Sequence, residues 1–410
     1  MTLEAQLTNE IRIINQTLAH FGVDAGTRPQ WTTVAGSSFV AYGLRTGPAQ
    51  AIDGIARRLP ELAERISASR QQRTPVRLRH MPLALEVTHP TPQPLDWRGA
   101  VLRVGAHRIL VGRNYSRQPA ADAVVDLAER PHVLIAGTTG SGKSTMLRTA
   151  LASLCYSTAP DSAALALVDL KNEDLVPFAT LPHVLAVAWT AGDARSVVRE
   201  VAAELRRRVE AGTGDWRRIV LVIDELAQLD PDSIDALSAV LAVGRSKAIN
   251  VIAATQHPAV RLIGDKANYS VRLVGQVVDA QTAALATGRK NTGAEVLPGS
   301  GAFLHVDGPT VDRIQAYYLP AEPVPALVRT ISQKWAAVPE VAPLRTSASA
   351  PTIPPPQRDP SVPAPVRTGV EFPLPRRAPT TEEAVAIRAL HADLGSMNQT
   401  IVAVYGSKSS

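Results

Sequence analysis

The sequence predicts an α/β fold in which a parallel β-sheet is covered by helices on both faces. Between residues 113 and 325, short runs that are apolar on both faces alternate with longer amphipathic stretches. This alternation is typical of strands buried in a parallel sheet and of the helices that cover it. A glycine-rich loop also connects the first strand to the helix that follows it. Strands are expected at 132–136, 164–169, 219–224 and 249–255, and helices near 143–157, 193–210 and 232–244.

Three further segments flank this domain. Residues 1–112 combine helical periodicity at 3–21 and 51–66 with alternating runs near 31–44 and 76–87, which predicts a small α+β domain. Residues 339–380 contain about a dozen prolines and are expected to form a semi-rigid linker. Residues 381–410 regain helical periodicity, with a break at Gly395.

This helical tail is compatible with the first part of a helix-turn-helix. Ser396 and Asn398 are good helix starters, but a recognition helix would begin only near Ser407, close to the last residue of the sequence. The tail is therefore expected either to read DNA incompletely or to dock a recruitment partner.

The composition excludes several classes of protein. With 45% apolar and 20% charged residues, the 410-residue chain is expected to form two or three globular domains. Its single cysteine, Cys155, excludes an internal disulfide and favours a reducing compartment, and a buried packing role is expected for it. No stretch has the length and apolarity of a membrane span, and the first residues lack a signal-peptide pattern, so a cytoplasmic location is expected.

The basic charge is concentrated at the beginning of the chain. The net charge is +6, and residues 1–112 carry about +5 of it. Five arginines lie in a stretch with no acidic residue before Glu86: Arg65, Arg70, Arg73, Arg77 and Arg79. This cluster indicates either contact with a polyanion or a solvated basic face.

Residues 137–144 carry the full pattern GxxxxGK[ST] between a strand and a helix. This context indicates a P-loop NTPase (RecA-like) fold that binds ATP. The glycines allow backbone N–H groups to turn toward phosphate oxygens, Lys143 adds a positive charge at the β- and γ-phosphates, and Ser144 can ligate Mg²⁺. The expected phosphate-binding residues are Gly137, Thr138, Thr139, Gly140, Ser141, Gly142, Lys143, Ser144 and Thr145.

Two further strand ends carry candidate catalytic residues. Asp224 and Glu225 follow an apolar run, where Asp224 can hold Mg²⁺ and Glu225 can polarise the attacking water. A phosphate-binding site without hydrolysis would need only the aspartate, and an acidic pair at a helix N-terminus is the alternative explanation. Gln256 follows the strand at 249–255 and could sense the γ-phosphate, although glutamine also ends many strands for solvation alone.

Taken together, these motifs resemble the FtsK/SpoIIIE family of DNA-translocating ATPases over most of the first 320 residues. The phosphate-loop block, the Asp-x-Lys segment and the blocks around Glu225 and Gln256 resemble those of the family. The matching segments are 18–25, 126–144, 169–171, 181–183, 220–229, 249–260, 266–272 and 293–295.

The resemblance implies a homohexamer that threads double-stranded DNA through its channel, with ATP bound at the subunit boundaries. Such a site needs a cation from the neighbouring subunit to offset charge on the transferred phosphate. Arg272 is the first candidate for this role and Arg245 the second, and a salt bridge within the chain is the alternative for either.

Several positions depart from the family's pattern. The segment 211–218 is shorter than the family's usual loop, so any grip on DNA that this loop provides must come from elsewhere. His257 and Gln281 stand where arginine is usual, and residues 299–304 differ from the usual Gly-Asp-Met-Leu. The family's membrane-spanning region is also missing, which favours a motor of a plasmid, phage or integrated element.

The sequence thus predicts an ATP-dependent DNA translocase with DNA-stimulated hydrolysis. Two alternatives stay open. One is a protein-secretion ATPase of the type VII kind, whose motors share this domain type. The other is a nucleotide-regulated DNA-binding or plasmid-maintenance protein.

Overall fold

The computed structural model describes residues 2–338, apart from 36–38, 48–49, 81–82, 92–93, 117–119 and 259–267. The expected linker (339–380) and tail (381–410) lie outside the described residues, as do Lys266 and the segment around it. Among the helices that are described, none is both long and apolar enough to cross a membrane.

Four of the described helices begin at a residue whose side chain caps them, namely Thr2, Thr190, Asp230 and Asp279. For example, the side chain of Thr190 accepts a hydrogen bond from the N–H of Asp193 at the start of the longest helix. The helices are α1 Leu3–His20, α2 Gln50–Arg57, α3 Leu59–Arg70, α4 Arg98–Val101, α5 Lys143–Ser157, α6 Ala191–Glu210, α7 Pro231–Val243, α8 Ala280–Thr287 and α9 Val324–Lys334.

The strands form one large sheet and several smaller pairings. They are β1 Ala25–Gly26, β2 Thr32–Ala35, β3 Phe39–Gly43, β4 Arg45–Thr46, β5 Val76–His80, β6 Leu83–Thr88, β7 Leu95–Asp96, β8 Arg108–Asn114, β9 Ala121–Asp126, β10 His132–Ala136, β11 Ala163–Val168, β12 Val184–Ala188, β13 Arg218–Ile223, β14 Ile249–Thr255, β15 Val271–Val274, β16 Ala302–Asp307, β17 Thr310–Gln315 and β18 Tyr317–Tyr318.

The large sheet has the order β12-β11-β13-β14-β10-β15-β16-β17-β8-β9. The strands from β12 to β15 are parallel, which confirms the predicted fold class. The last four strands add an antiparallel extension that the sequence pattern does not predict. The extension begins with β15 and β16, which are antiparallel neighbours, and continues through the hairpin of β16 and β17.

The parallel strands inside the edge strand β12 are buried on both faces because helices cover the sheet on two sides. On β10, Val133 and Ile135 belong to the core beneath α5, whereas Leu134 faces the core beneath α6 and α7. Cys155 on α5 is fully buried in the first core, and burial raises the pKa of its thiol. This is the packing role expected from the sequence.

The small N-terminal unit has its own core. Its antiparallel sheet, β2-β3-β6-β5, is packed by α1 and α3 through Ile14, Leu18, Leu62 and Ile66, among others. The boundary drawn at residue 112 falls inside β8, a strand of the large sheet, and Trp97, Val101 and Ile109 are buried in the core of that sheet. The core of the small unit therefore ends with β6.

The basic cluster of this unit is mostly neither a solvated face nor a free polyanion surface. Arg70 makes two hydrogen bonds of 2.7 Å to Glu10. Arg77 and Arg79 pair with Glu86 across the sheet. Only Arg65 and Arg73 of the five are exposed. A solvated face and a surface for a polyanion are both wrong for Arg70, Arg77 and Arg79, because each of these arginines is paired with a carboxylate on another element of the fold.

Glu86 joins the small unit to the large sheet. Its fully buried carboxylate lies 2.7 Å from Arg77, 3.2 Å from Arg79 and 3.2 Å from Arg313 of β17. Arg77 also donates a 2.9 Å hydrogen bond to the carbonyl of Thr292. Burial alone would raise the pKa of Glu86, but the three arginine charges outweigh it and hold the pKa below its ordinary value.

We expect Glu86→Gln to lower the free energy of unfolding by about 3–5 kcal/mol, because it leaves buried arginine charges without a counter-ion. Since the pKa of Glu86 is lowered in the folded state, its stabilisation is complete above the unfolded pKa and is lost as the pH falls through the folded pKa. Urea denaturation across acidic pH measures both effects.

Glu61→Gln is the matched control, because Glu61 pairs with Arg58 at a surface where both side chains are 35% exposed. It should change stability little. A Glu86→Gln protein as stable as Glu61→Gln at neutral pH would contradict the assignment of Glu86 as the joining residue.

Candidate functional site

The glycine-rich loop leaves β10 at the carboxyl edge of the parallel sheet. The N–H of Gly137 donates to the carbonyl of Thr255 (3.2 Å), and that of Thr138 donates to the carbonyl of Gln276 (2.8 Å). The loop is thus anchored to the segments on both sides of it. Gly142 precedes α5 without a side-chain cap, so the first N–H groups of the helix have no capping side chain. A helix start of this kind attracts anions.

Gly142 is required by both conformation and space. Its φ is 102°, and an added Cβ would lie 3.0 Å from the backbone of Gly301. Only glycine combines this backbone conformation with so close an approach. The loop therefore packs directly on the segment that follows residue 299.

Lys143 opens α5 and lines the cavity beside the loop. Its Nζ donates to the carbonyl of Thr138 (3.1 Å), within the loop itself. Burial lowers the pKa of Lys143, an effect that Glu225 and Asp224 oppose and Lys171 strengthens. The ammonium group is therefore held over the loop in a poorly solvated position.

Asp224 follows the end of β13, and Ser144 of α5 lines the same cavity. Burial raises the pKa of Asp224 to about 6, with Asp169 adding to the rise and Lys171 opposing it. A crowded carboxylate and a hydroxyl on one cavity wall fit Mg²⁺, which takes one or two protein oxygens together with phosphates and water. The described residues contain no larger cluster of metal-ligating side chains.

Glu225 is fixed by three donors from the neighbouring strand and its own turn. It accepts hydrogen bonds from the hydroxyl of Thr255 (2.8 Å), the N–H of Gln256 (3.1 Å) and the N–H of Ala227 (3.3 Å). Its exposed fraction is 7%. The side chain of Gln256 in turn accepts a 3.0 Å hydrogen bond from the hydroxyl of Thr139. Glu225, Gln256 and the glycine-rich loop thus form one connected network.

Lys171 is a site residue for which the sequence pattern predicted no role. Its Nζ lies 3.5 Å from Asp224 and 3.9 Å from Glu225. The turn that carries it is built on the buried carboxylate of Asp169, which accepts hydrogen bonds from the N–H groups of Lys171, Glu173 and Leu175. The signal was present, since Asp169 and Lys171 follow the end of a parallel strand, as Asp224 does.

A second ion pair braces the helix of the loop. Arg148 on α5 pairs with Asp174 and donates a 3.3 Å hydrogen bond to the hydroxyl of Thr145. Because Asp174 lies in the turn that follows Lys171, this pair ties that turn to the helix that follows the glycine-rich loop.

Arg272 and Arg245 lie away from this network. Arg272 is on β15 and only 8% exposed, with its guanidinium against Gly288 at the end of α8. Neither arginine lines the cavity. Arg245 is exposed, in the turn that joins α7 to β14. Burial inside its own chain therefore counts against Arg272 as a residue donated to a neighbour.

The cavity beside the loop measures about 980 Å³. One end is formed by residues 139–140 and 142–145, together with Lys171, Asp224 and Gln256. The other walls come from residues 295–301 and 315–318 and, from the small unit, Arg70 and residues 72–75 and 88–89. The volume is at the upper end of the range for sites of small ligands and cofactors.

Solved structures of similar fold include the conjugation coupling protein TcpA of pCW3 bound to ATPγS. The TM-score is 0.51 at 20% identity, and the match covers 77% of this chain and 96% of that chain. EssC (ATPases 2 and 3) of Geobacillus thermodenitrificans gives a TM-score of 0.52 at 19% identity, covering 59% of this chain and 52% of that chain. At these identities the likeness shows the P-loop NTPase fold.

Sequence comparison places the chain more narrowly. It is 30% identical to the DNA translocase FtsK of Chlorobaculum tepidum over 296 residues, covering 62% of this chain and 36% of that protein. It is 31% identical to the DNA translocase SftA of Bacillus subtilis over 262 residues, covering 55% of this chain and 27% of that protein. The chain thus spans about a third of the length of these relatives. Residues 102–213 match the model of the FtsK/SpoIIIE family.

Proposed function

We propose that the chain is an ATP-dependent DNA translocase that couples ATP hydrolysis to the movement of double-stranded DNA. The observation that carries the enzymatic part is the network from Glu225 through Gln256 to Thr139, because it holds a buried carboxylate beside the phosphate loop. A protein that only binds nucleotide has no need of this carboxylate.

Each residue of the network has a distinct role in this proposal. The backbone from Gly137 to Thr145 and the ammonium of Lys143 bind the triphosphate. Ser144 and Asp224 hold Mg²⁺, which when bound neutralises charge on the phosphates. Glu225 accepts a proton from a water molecule while the oxygen of that water forms a bond to the γ-phosphorus. The bond to the β-phosphate oxygen breaks, and ADP leaves with the electron pair.

Gln256 is suited to report this step. Its backbone N–H donates to Glu225, and its side chain accepts a hydrogen bond from Thr139 of the phosphate loop. Loss of the γ-phosphate would therefore alter both contacts of Gln256. The strand β14, which leads into Gln256, lies between β10 and β13 and can transmit the change to the sheet.

The DNA substrate is inferred from the relatives named DNA translocase, and the assembly from the resemblance of the sequence motifs to the FtsK/SpoIIIE family. We infer a homohexamer with ATP at the subunit boundaries, acting in the cytoplasm, and a tail that recruits a partner or contacts DNA. Between the two candidates for the cation given to a neighbouring site, we favour Arg245, because its side chain is exposed and that of Arg272 is buried.

Among the described residues, no feature of the site favours protein secretion over DNA movement. The likeness to EssC reflects the shared fold at 19% identity. A nucleotide-regulated DNA-binding protein would not depend on Glu225 for its activity, and this dependence is open to test.

We expect Glu225→Gln to lower ATP turnover by about 10²–10⁴-fold while leaving ATP binding intact, because only the proton acceptor is removed. Duplex DNA should raise ATP turnover by the parent protein, whereas the variant should keep the lowered turnover and fail to move DNA in a triplex-displacement assay. Glu210→Gln, at the exposed end of α6, is the control and should match the parent. A rate of ATP hydrolysis that duplex DNA leaves unchanged at low and moderate salt would contradict the proposed translocase function.

We expect Gly142→Ala to abolish measurable ATP binding, because its Cβ would press on Gly301 and the loop would have to open. Gly212→Ala is the matched control, since Gly212 also has a positive φ (81°) but no atom within 4 Å of an added Cβ. It should bind ATP like the parent and lose only some stability. Calorimetric titration of both variants with ATP and Mg²⁺ decides between these outcomes, and equal binding by both would contradict the role of the loop.

A further inference from the structure

The phosphate loop fills only one end of the cavity. Its remaining walls are formed by residues 295–301 and 315–318 and by the small N-terminal unit. A triphosphate bound at the loop would place its ribose and base along these walls, since no other part of the nucleotide extends from the phosphates. This inference rests on the proposed function, because it takes ATP as the ligand of the loop.

Tyr318 presents an aromatic ring on the wall formed by residues 315–318. Its exposed fraction is 49%, whereas Tyr317 and Leu319 on either side of it are buried. A half-exposed ring that lines a ligand cavity offers a planar apolar face, which suits stacking on a base.

The backbone that carries Tyr318 is fixed on both sides. The strand β18 pairs with β7, so that Tyr318 lies opposite Asp96. On the other side it is tied to α5: the carbonyl of Tyr317 accepts from Thr149 (3.2 Å), and that of Leu319 accepts from Arg148 (3.2 Å). The strand is therefore held at a fixed distance from the helix that begins with Lys143.

Arg73 lies on the wall contributed by the small unit. It is exposed, and no ion pair to it occurs among the described residues, in contrast to Arg70, Arg77 and Arg79. A guanidinium plane can stack on a base or donate to its polar edge. Arg73 is thus a cation available to a ligand in the cavity.

The turn that carries Arg73 is rigid. Gln71 ends α3 with a left-handed φ of 54°, and the N–H of Gln72 donates to the carbonyl of Ser67 (3.1 Å). The hydroxyl of Ser67 accepts a 2.8 Å hydrogen bond from the N–H of Thr74. A wall ordered in advance loses little entropy when a ligand binds.

We propose that Tyr318 stacks on the base of the bound nucleotide and that Arg73 contacts the same base or its ribose. The small N-terminal unit is then part of the nucleotide site, and the nucleotide bridges this unit to the phosphate loop. The role of the unit is to recognise the nucleoside, whereas the loop recognises the phosphates.

Binding of ATP and of inorganic tripolyphosphate, each with Mg²⁺, separates the two functions. We expect Tyr318→Ala to raise the Kd for ATP about 5- to 100-fold, from the loss of one base–aromatic stack, with the Kd for tripolyphosphate unchanged. Tyr318→Phe retains the ring and should bind ATP like the parent. Arg73→Ala should weaken ATP binding alone, and Arg65→Ala, an exposed arginine of α3 outside the cavity, should not.

The possible failures are distinct. If Tyr318→Ala and Arg73→Ala bind ATP like the parent, or lose ATP and tripolyphosphate equally, the assignment of the nucleoside wall is wrong while the phosphate site stands. If the parent binds tripolyphosphate as tightly as ATP, the nucleoside makes no contact and the assignment is wrong as well. A parent protein that binds neither ligand would overturn the proposed function and this inference together.

Discussion

The candidate site depends on the hydrogen bonds that Glu225 accepts from Thr255 and Gln256. These bonds join the ends of β13 and β14, and β14 pairs in turn with β10, the strand that leads into the phosphate loop. Because the three strands are parallel, their carboxyl ends meet at one edge of the sheet. Glu225 is distant from the phosphate loop along the chain, yet Gln256 connects it directly to Thr139 of that loop.

The sequence predicts those parts of the site whose residues are adjacent along the chain. The loop from Gly137 to Ser144 and the pair Asp224 and Glu225 each follow an apolar strand, so a local pattern is enough to find them. No role was predicted for Lys171, because its place after a parallel strand is visible in the sequence but its closeness to Asp224 follows from the pairing of β11 with β13. A local sequence pattern does not show which distant strands pair with each other.

The fold shows the same division. Periodicity predicts the parallel strands and their helices, whereas the antiparallel extension and the placing of β8 in the large sheet depend on contacts between distant segments. The prediction for the arginine cluster was wrong for three of its five members for the same reason. A count of charge along the chain includes Glu10 and Glu86 but does not show that they contact Arg70 and Arg77, because these contacts arise from the packing of α1 and the pairing of β5 with β6.

These buried pairs also bear on how the cavity works. Glu86 binds Arg313 of the large sheet, and Glu10 holds Arg70 at the start of the turn that carries Arg73. Breaking the pair of Glu86 and Arg313 would leave a buried charge without a partner, which is costly, so this pair holds the small unit against the large sheet. A nucleotide that touches both walls therefore enters a site shaped in advance, and its binding energy is not spent on bringing the two units together.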